Sequence, residues 1–389
     1  MTSQTLKPPF LKMLSDFVQD ENQGSYKRPV SDIKRLPVSI YTDPARYALE
    51  QERIFKVAPI VIGHISMIPA AGDHFTFDHL GQPLLVVRGP DMAVRVFYNV
   101  CRHRGVRLAR NDSVSRSASF VCPYHNWTYG LDGTLISVPC EESFVNDDVS
   151  GRNLKRVGSG VSSGFIYVSC DPSLNPEIPL DLDPYMKEFA EDFEALKFAD
   201  QVFFDQSTRT VKANWKLLIE AFQDGYHVVR LHRKTVGPLF LDNVADIERV
   251  QNNLRALVAR NGFAELKGKD AEDWDVRNAV SLAYLLSPNS VLVIHPDYIS
   301  HLGVYPRAPD ECIAVHSCFI DAHPKSEKEA AHFKRAFEII DEGVFNSEDF
   351  FVCEQAQKGM ESGANDDFPL SDFEIGIKLF HEILNEQLA

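Results

Sequence analysis

Two short segments of the chain each contain a cysteine and a histidine at a spacing that suits metal binding. Cys101 and His103 have one residue between them, and Cys122 and His125 have two. Thiolates and imidazoles are common ligands of zinc and of iron. A structural zinc site is one interpretation, but zinc fingers usually place two cysteines at one end and two histidines at the other. Here each segment supplies one of each.

An iron–sulfur cluster of the Rieske type suits this mixed arrangement. One of its irons is held by two thiolates and the other by two imidazoles, so a pair of Cys-His hairpins can supply both. The segments CRHRGVRL (101–108) and CPYHNWTYG (122–130) closely resemble the two cluster-binding loops of Rieske proteins. We therefore expect the four side chains to hold a [2Fe-2S] cluster in preference to a zinc ion.

A second candidate centre involves His227 and His232. On an uninterrupted helix, side chains five positions apart point about 140° away from each other, so these two can share a metal only if the helix breaks. Gly225 lies just before them, where a break has little steric cost. Two histidines and one carboxylate form the facial triad that holds Fe(II) with positions open for dioxygen. The downstream carboxylate candidates include Asp297, Asp341, Glu348, Asp349 and Glu354.

Asp349 is distinguished by its place in a helical pattern. It shares a stripe with Cys353, Ala356 and Met360 that is otherwise apolar. A carboxylate that faces buried apolar neighbours needs a cation beside it. Taken alone, however, a pair of histidines five positions apart is more often unrelated to metal binding.

A family resemblance strengthens the iron interpretation. The segment NWKLLIEAFQDGYHVVRLH (214–232) resembles the iron motif of the α subunits of Rieske non-haem iron oxygenases, which are ring-hydroxylating and demethylating enzymes. The segment SEDFFVCEQAQKG (347–359) resembles the part of these proteins that carries the third iron ligand. The resemblance extends over roughly residues 41–385, with the motifs in the order that the family has.

The resemblance implies a role for each residue. The two Cys-His pairs would bind the cluster, and His227, His232 and Asp349 would bind a mononuclear Fe(II). Asp224 corresponds to the bridging carboxylate that, in the family, joins a Rieske histidine of one subunit to an iron-binding histidine of the next. By position, its Rieske partner is His125. The family pairs the two metals across the interfaces of a head-to-tail ring, so we expect a homotrimer.

Two positions depart from common family patterns. Ala221 stands where many relatives have Asn, so a polar contact from this position to iron-bound water or substrate is in doubt. Asp224 stands where the quaternary-amine branch usually has Glu, which argues mildly against that branch.

The implied function is that of the oxygenase component of a multicomponent enzyme. Electrons from NAD(P)H would arrive through a reductase, with or without a ferredoxin, and would be used with O₂ to hydroxylate an aromatic or other hydrophobic substrate, as in aromatic hydrocarbon catabolism. A Rieske monooxygenase or an N- or O-demethylase is the alternative, and a Rieske electron-transfer protein is the non-enzymatic one. We expect the substrate to meet an apolar wall formed by Phe240, Leu282, Tyr284, Leu285, Leu286 and Val293.

Length and composition are those of a globular protein. The 389 residues are 44% hydrophobic, enough for two or three domains with buried cores. A formal net charge of -15 argues against nucleic acid or an anionic membrane as the main partner. Because no apolar run approaches the ~20 residues of a membrane span and the N-terminus lacks a signal-peptide core, we expect a cytoplasmic protein.

The sequence pattern predicts an α+β protein with a small all-β Rieske domain and a larger catalytic domain. The expected division is an N-terminal extension (1–42), the Rieske domain with its leading helix (43–170) and the catalytic domain (171–389), which combines an antiparallel sheet with surrounding helices. Asp43 and Pro44 predict the start of the leading helix. Three separate helices are expected after residue 325, whereas residues 233–280 show no clear pattern.

Overall fold

The computed structural model describes residues 8–19, 31–110, 114–145 and 147–389. These form two compact units. One is Phe55–Pro184, and the other combines the chain up to Ile54 with Tyr185–Ala389. The predicted α+β class is confirmed. Much of the predicted N-terminal extension lies outside the described residues.

The unit Phe55–Pro184 is built from three small antiparallel sheets. Its strands are Ile60–His64, Asp73–Phe77, Leu84–Arg88, Val94–Tyr98, Ser115–Arg116, Phe120–Val121, Thr128–Tyr129, Leu135–Ser137, Gly158–Ser162 and Phe165–Ser169. The small all-β domain predicted from the sequence is therefore present. Short 3₁₀ turns lie at Ile65–Met67 and Glu141–Ser143.

The second unit contains a seven-stranded, fully antiparallel sheet. In spatial order its strands are Val202–Val211, Glu311–Ile320, Tyr298–Ala308, Ser290–Ile294, Val280–Leu286, Asn253–Arg260 and Phe240–Val250. A separate two-stranded ladder pairs Arg35–Pro37 with Asp367–Pro369. The antiparallel sheet expected over 283–320 is therefore part of a larger one.

Two further strands of this sheet come from the segment in which no clear pattern was found. Phe240–Val250 and Asn253–Arg260 form a long hairpin whose turn contains Gln251 at a φ of 56°. The first of these strands carries the charged residues Asp242 and Glu248 among its apolar ones. Its alternation is further shifted by an irregularity between Phe240 and Ala245, so the period of two that marks a strand is lost.

Helices surround this sheet. The α-helices are Pro9–Gln19, Ser39–Thr42, Pro44–Glu50, Asp183–Met186, Ala190–Ala195, Trp215–Ala221, Val228–Leu231, Val276–Ala279, Glu327–Glu338, Phe351–Glu361 and Ile375–Leu388. π-type turns cover Gln51–Phe55 and Ile339–Phe350. Short 3₁₀ turns cover Lys187–Phe189, Phe198–Asp200, Gly237–Leu239, Asn261–Leu266, Ala271–Asp273 and Asp372–Glu374. No helix in these described ranges is long and apolar enough to cross a bilayer.

Two of the three helices expected at the end of the chain are in fact continuous. Glu327–Glu338 runs through the π-type segment Ile339–Phe350 directly into Phe351–Glu361. The stretch contains no proline, so nothing removes a backbone donor and forces a stop. We call residues 327–361 the closing helix.

The leading helix Pro44–Glu50 lies in the larger unit rather than with the small sheets. Asp43 caps it as predicted, accepting a hydrogen bond from the backbone N–H of Ala45 at 2.8 Å. Its last residue, Glu50, is fully buried and accepts from Lys216 Nζ at 2.8 and 2.9 Å and from Trp215 Nε1 at 3.0 Å. This ion pair fixes the helix Trp215–Ala221 that precedes His227.

Removing one partner of the Glu50–Lys216 pair tests this anchoring. We expect Lys216→Met to lower the free energy of unfolding by about 3–5 kcal/mol, because it leaves a buried carboxylate without its main cation. Arg249→Met is the control, since it breaks the exposed Arg249–Glu386 pair and should cost less than ~1 kcal/mol. Urea unfolding followed by circular dichroism measures both, and equal losses would contradict the anchoring role.

A buried carboxyl predicts a pH dependence. Burial, followed by the neighbouring charge of Glu248, raises the pKa of Asp246 to about 8. The folded state therefore retains a proton that the unfolded chain has already lost, and stability declines as the pH rises from about 4 to about 8. We expect Asp246→Asn to match the parent at pH 4 and to exceed its stability by about 3–5 kcal/mol at pH 8, at roughly 1.4 kcal/mol per pKa unit. Melting curves across this pH range measure the stabilities, with Asp242→Asn as an exposed control. A stability difference between Asp246→Asn and the parent that does not change with pH would refute the role of Asp246.

Candidate metal centres

The two cluster loops of the small unit share one backbone pattern. Cys101 N–H donates to the carbonyl of Val106 at 2.8 Å, and Cys122 N–H donates to that of Trp127 at 2.9 Å. Four residues after each cysteine, a backbone N–H donates back to its carbonyl at 3.0 Å, from Gly105 and from Asn126. Both of these residues have a positive φ, 77° and 57°. The second loop therefore bends at Asn126.

These turns bring the two histidines together. The ring centroids of His103 and His125 are 4.6 Å apart, and His103 stacks on Trp127 at 4.8 Å. The Nδ1 atoms of both histidines are buried and have no hydrogen-bond partner among the described residues. Buried nitrogens that lack a hydrogen-bond partner are available to bind the metal of a cluster.

The two thiols lie in the core of the same unit. Cys101 and Cys122 are each 2% exposed, and the hydroxyl of Tyr129 lies 3.4 Å from Cys101 Sγ. Burial, together with the neighbouring Cys101, raises the pKa of the Cys122 thiol. Burial, followed by the charge of the neighbouring His125, lowers the pKa of His103, which favours a neutral imidazole able to ligate. The donor set fits a [2Fe-2S] cluster with two thiolates and two imidazoles.

The larger unit brings His227, His232 and Asp349 together. Their ligand atoms all lie within 4.8 Å of one another. Asp349 Oδ1 is 3.3 Å from Nε2 of His232 and 3.7 Å from Nε2 of His227, without the geometry of a hydrogen bond. The helix does break as expected: it ends at Ala221 and resumes at Val228. The arrangement fits a facial triad for Fe(II).

A carboxylate contacts the Nδ1 atom of each of the two imidazoles, on the side of the ring away from Asp349. Asp224 Oδ2 lies 3.2 Å from Nδ1 of His227, and Glu348 Oε2 lies 2.7 Å from Nδ1 of His232. Because a carboxylate only accepts, each Nδ1 carries the proton and each Nε2 turns its lone pair toward Asp349. Metal-binding histidines are commonly oriented in this way. The sequence had offered Glu348 only as an alternative ligand and missed this supporting position.

The net charge of the group calls for a cation. Burial lowers the pKa of His232, but the combined attraction of Asp349 and Glu348 outweighs burial, so that the pKa is raised.

The other carboxylate candidates lie elsewhere. Asp297 contacts His332, Asp341 contacts His316, and Glu354 accepts from the backbone of Lys212.

A cavity of about 360 Å³ opens onto these three side chains. Its aromatic lining consists of Phe222, Phe240, Phe345, Phe373, Tyr298 and His295. Ala221, the departure noted in the sequence, also lines it and offers no polar group.

The predicted apolar wall is only partly correct. Phe240 and Val293 line the cavity, whereas Leu282, Tyr284, Leu285 and Leu286 do not. Successive residues of a strand face opposite sides, so Ser281 and Ala283 face the cavity. Tyr284 lies on the other face, where its hydroxyl donates to Asp192 at 3.2 Å.

Family models match both units. A model of the ring hydroxylating alpha subunit (catalytic domain) matches residues 193–389, and a model of the Rieske [2Fe-2S] domain matches residues 58–155. The chain therefore carries the domains for a Rieske cluster and for a mononuclear iron, and the interpretation as an electron-transfer protein alone is not supported.

Three curated relatives are named monooxygenases. The chain is 32% identical over 260 residues to the glycine betaine monooxygenase oxygenase subunit of Chromohalobacter salexigens, a match that covers 64% of this chain and 56% of the relative. It is 27% identical over 351 residues to the carnitine monooxygenase oxygenase subunit of Escherichia coli K12, covering 89% of each. It is 28% identical over 363 residues to the chloroplastic choline monooxygenase of Spinacia oleracea, covering 92% of this chain and 80% of the relative.

Solved structures show the same fold. A quaternary ammonium Rieske monooxygenase in complex with L-carnitine superposes with a TM-score of 0.78 at 18% identity, covering 94% of this chain and all of that one. Naphthalene 1,2-dioxygenase from Rhodococcus sp. gives a TM-score of 0.73 at 17% identity, covering 97% and 98%.

These comparisons correct one expectation and confirm another. They do not support an aromatic substrate, because the curated relatives are named for quaternary ammonium compounds, and they favour the monooxygenase alternative. The argument from Asp224 against the quaternary-amine branch is likewise not supported. From its two domains, the chain belongs to the ring-hydroxylating α-subunit family of Rieske non-haem iron oxygenases.

Proposed function

We propose that this chain is the oxygenase component of a Rieske monooxygenase that hydroxylates a small quaternary ammonium compound. The observation that carries the proposal is the opening of the His227, His232 and Asp349 group onto an aromatic-lined cavity of about 360 Å³. In this proposal these three side chains hold Fe(II), and the two Cys-His pairs of residues 101–125 hold the [2Fe-2S] cluster. When bound, the cluster supplies single electrons and the iron supplies the site for O₂.

The overall reaction fixes what the chain must provide. One oxygen atom enters a C–H bond of the substrate, and the other leaves as water after uptake of two electrons and two protons. Electrons come from NAD(P)H through a reductase, with or without a ferredoxin. The relatives' designation as oxygenase subunits supports such a multicomponent system.

The cavity suits a methylated cation. A quaternary nitrogen has no N–H to donate, so it is recognised by the faces of aromatic rings and by negative charge rather than by acceptors. Phe222 and Phe345 pack edge to face at 5.2 Å at the cavity wall. Asp224, which does not bind the metal in this proposal, adds negative charge to the same cavity, whereas the charge of Asp349 is offset by Fe(II).

Asp224 has a second proposed role in passing electrons between subunits. Its side chain is 16% exposed, accepts from the backbone N–H of Tyr226 at 2.6 Å and holds His227. It thus reaches an iron ligand from near the surface. We infer that it links His227 to His125 of a neighbouring subunit in a head-to-tail homotrimer, as the family resemblance implies.

A substrate panel tests the proposed chemistry. With a surrogate reductase and NADH, we expect O₂-dependent conversion of glycine betaine or a longer betaine, measured by mass spectrometry. Hydroxylation of a carbon bonded to nitrogen gives a product that releases that carbon as an aldehyde and leaves a tertiary amine and a proton. The carbon isostere 3,3-dimethylbutyrate, in which a quaternary carbon replaces the charged nitrogen, should react at least ~10-fold more slowly, because it lacks the cation–π interaction. Equal rates on both, or turnover of naphthalene instead, would overturn the proposal.

Iron content tests the assignment of the ligands. Asp349→Ala should reduce the iron from about three to about two per chain while the visible absorption of the cluster stays unchanged. Glu348→Ala should weaken iron binding by about 10–100-fold, because it removes the support behind His232. Glu354→Ala is the control, since this carboxylate lies on the same closing helix but bonds to Lys212. Three irons retained in Asp349→Ala would refute the assignment.

A further inference from the structure

Arg260 places a positive charge in the wall of the cavity. It ends the strand Asn253–Arg260 and is paired in register with Phe240. Its position has the same parity as Ala256 and Val258, which also line the cavity. The guanidinium therefore lies on the face of the sheet that lines the cavity.

The guanidinium has few protein partners. Nη1 donates to Ser281 Oγ at 3.3 Å, and the group lies over the ring of Phe240 at 5.2 Å. In the ranges that the structure describes, no carboxylate lies within ion-pair distance of Arg260. Burial lowers its pKa. Arg255 on the same strand is different, because it pairs with Asp192 and Glu248 on the other face.

A half-buried guanidinium without an anion is an incomplete site. It has five N–H donors in a planar fork that matches the two oxygens of a carboxylate. Among the described residues, its hydrogen bond to Ser281 occupies Nη1 alone, and neither Nε nor Nη2 is fully buried, so donors remain for a ligand. The group would also repel a substrate that carries only positive charge.

Other charged groups of the cavity do not supply the missing anion. Asp224 and Asp349 belong to the metal site. Asp246 lies between Ala245 and Ile247, which pair with the cavity-facing Val258 and Ala256, so its carboxyl faces the opposite side of the sheet. The exposed Asp372 contacts Lys378 at 3.5 Å.

We propose that Arg260 binds a carboxylate of the substrate, so that the substrate is a small zwitterion carrying both a carboxylate and a methylated ammonium group. The inference rests on the proposed function and narrows it. With the carboxylate held at Arg260, the methylated nitrogen is left for the aromatic rings and the acidic groups of the metal site. Arg260 then determines specificity for betaines over choline.

Four probes of matched shape separate the two charges. Glycine betaine carries both, choline carries only the cation, 3,3-dimethylbutyrate carries only the carboxylate, and 3,3-dimethyl-1-butanol carries neither. Their dissociation constants for the iron-loaded enzyme are measured by titration calorimetry without reductase, so that no turnover occurs. The variants are Arg260→Met and Arg260→Lys, with Arg249→Met as a control arginine of the same hairpin, which pairs with Glu386 and does not line the cavity.

We expect Arg260→Met to weaken binding of both carboxylate probes by about 10–100-fold, the range for loss of a charge-assisted pair. Choline should bind the variant equally well or more tightly, because a like charge has been removed. Arg260→Lys should retain part of the affinity for the carboxylates, which shows that the site is still folded, and Arg249→Met should change nothing.

Two outcomes would overturn the role of Arg260. One is equal weakening of choline and glycine betaine in Arg260→Met, which would mean that the arginine only shapes the cavity. The other is a parent enzyme that binds glycine betaine no better than choline. The proposed function fails separately if the two ammonium probes bind no better than their carbon isosteres, whatever Arg260 does. No binding of any probe would overturn both.

Discussion

The structure depends on three polar atoms, two of them on buried residues, that cannot satisfy one another. With each Nδ1 proton committed to a carboxylate, His227 and His232 direct lone pairs toward Asp349 Oδ1, which is itself an acceptor. Acceptors gathered in a buried site are costly unless a cation lies among them. The raised pKa of His232 expresses the same demand for positive charge. Fe(II) satisfies it, and the rest of the larger unit holds the three atoms in place.

Two buried networks hold them from different sides. Glu50 and Lys216 anchor the start of the helix Trp215–Ala221. At its end, Glu220 accepts from Tyr41 at 3.0 Å and contacts His381 at 2.7 Å. The closing helix carries Glu348 and Asp349 as neighbours, so one rigid element both supports an imidazole and supplies the third ligand. Its continuity through the π-type segment is therefore part of the site.

The three side chains that the structure brings together could be selected from the sequence, because metal coordination restricts residue type and spacing so strongly. Asp349 was distinguished by an apolar helical stripe that the structure contains, with Cys353 and Met360 buried beside it. Glu348 has a supporting role because it contacts Nδ1 of His232 and not the metal-facing Nε2, and this contact could not be predicted from the sequence. The strands of the hairpin 240–260 were missed because charged residues and a bulge disturb their alternation. Phe240 had been predicted to line the cavity, but Arg260 on the second of these strands was missed, and with it the positive charge in the cavity wall. Tyr284 was placed in the wall by its apolar neighbours, although the parity of its strand turns it away.

Anomalous diffraction at the iron absorption edge, from crystals of the enzyme loaded with iron, tests the central claim most directly. The account predicts one peak for the cluster between the two Cys-His loops of each chain. It predicts a second peak in contact with Nε2 of His227, Nε2 of His232 and a carboxylate oxygen of Asp349, with the cavity beside it. A second peak at other side chains, or none in crystals that retain the cluster, would contradict the account.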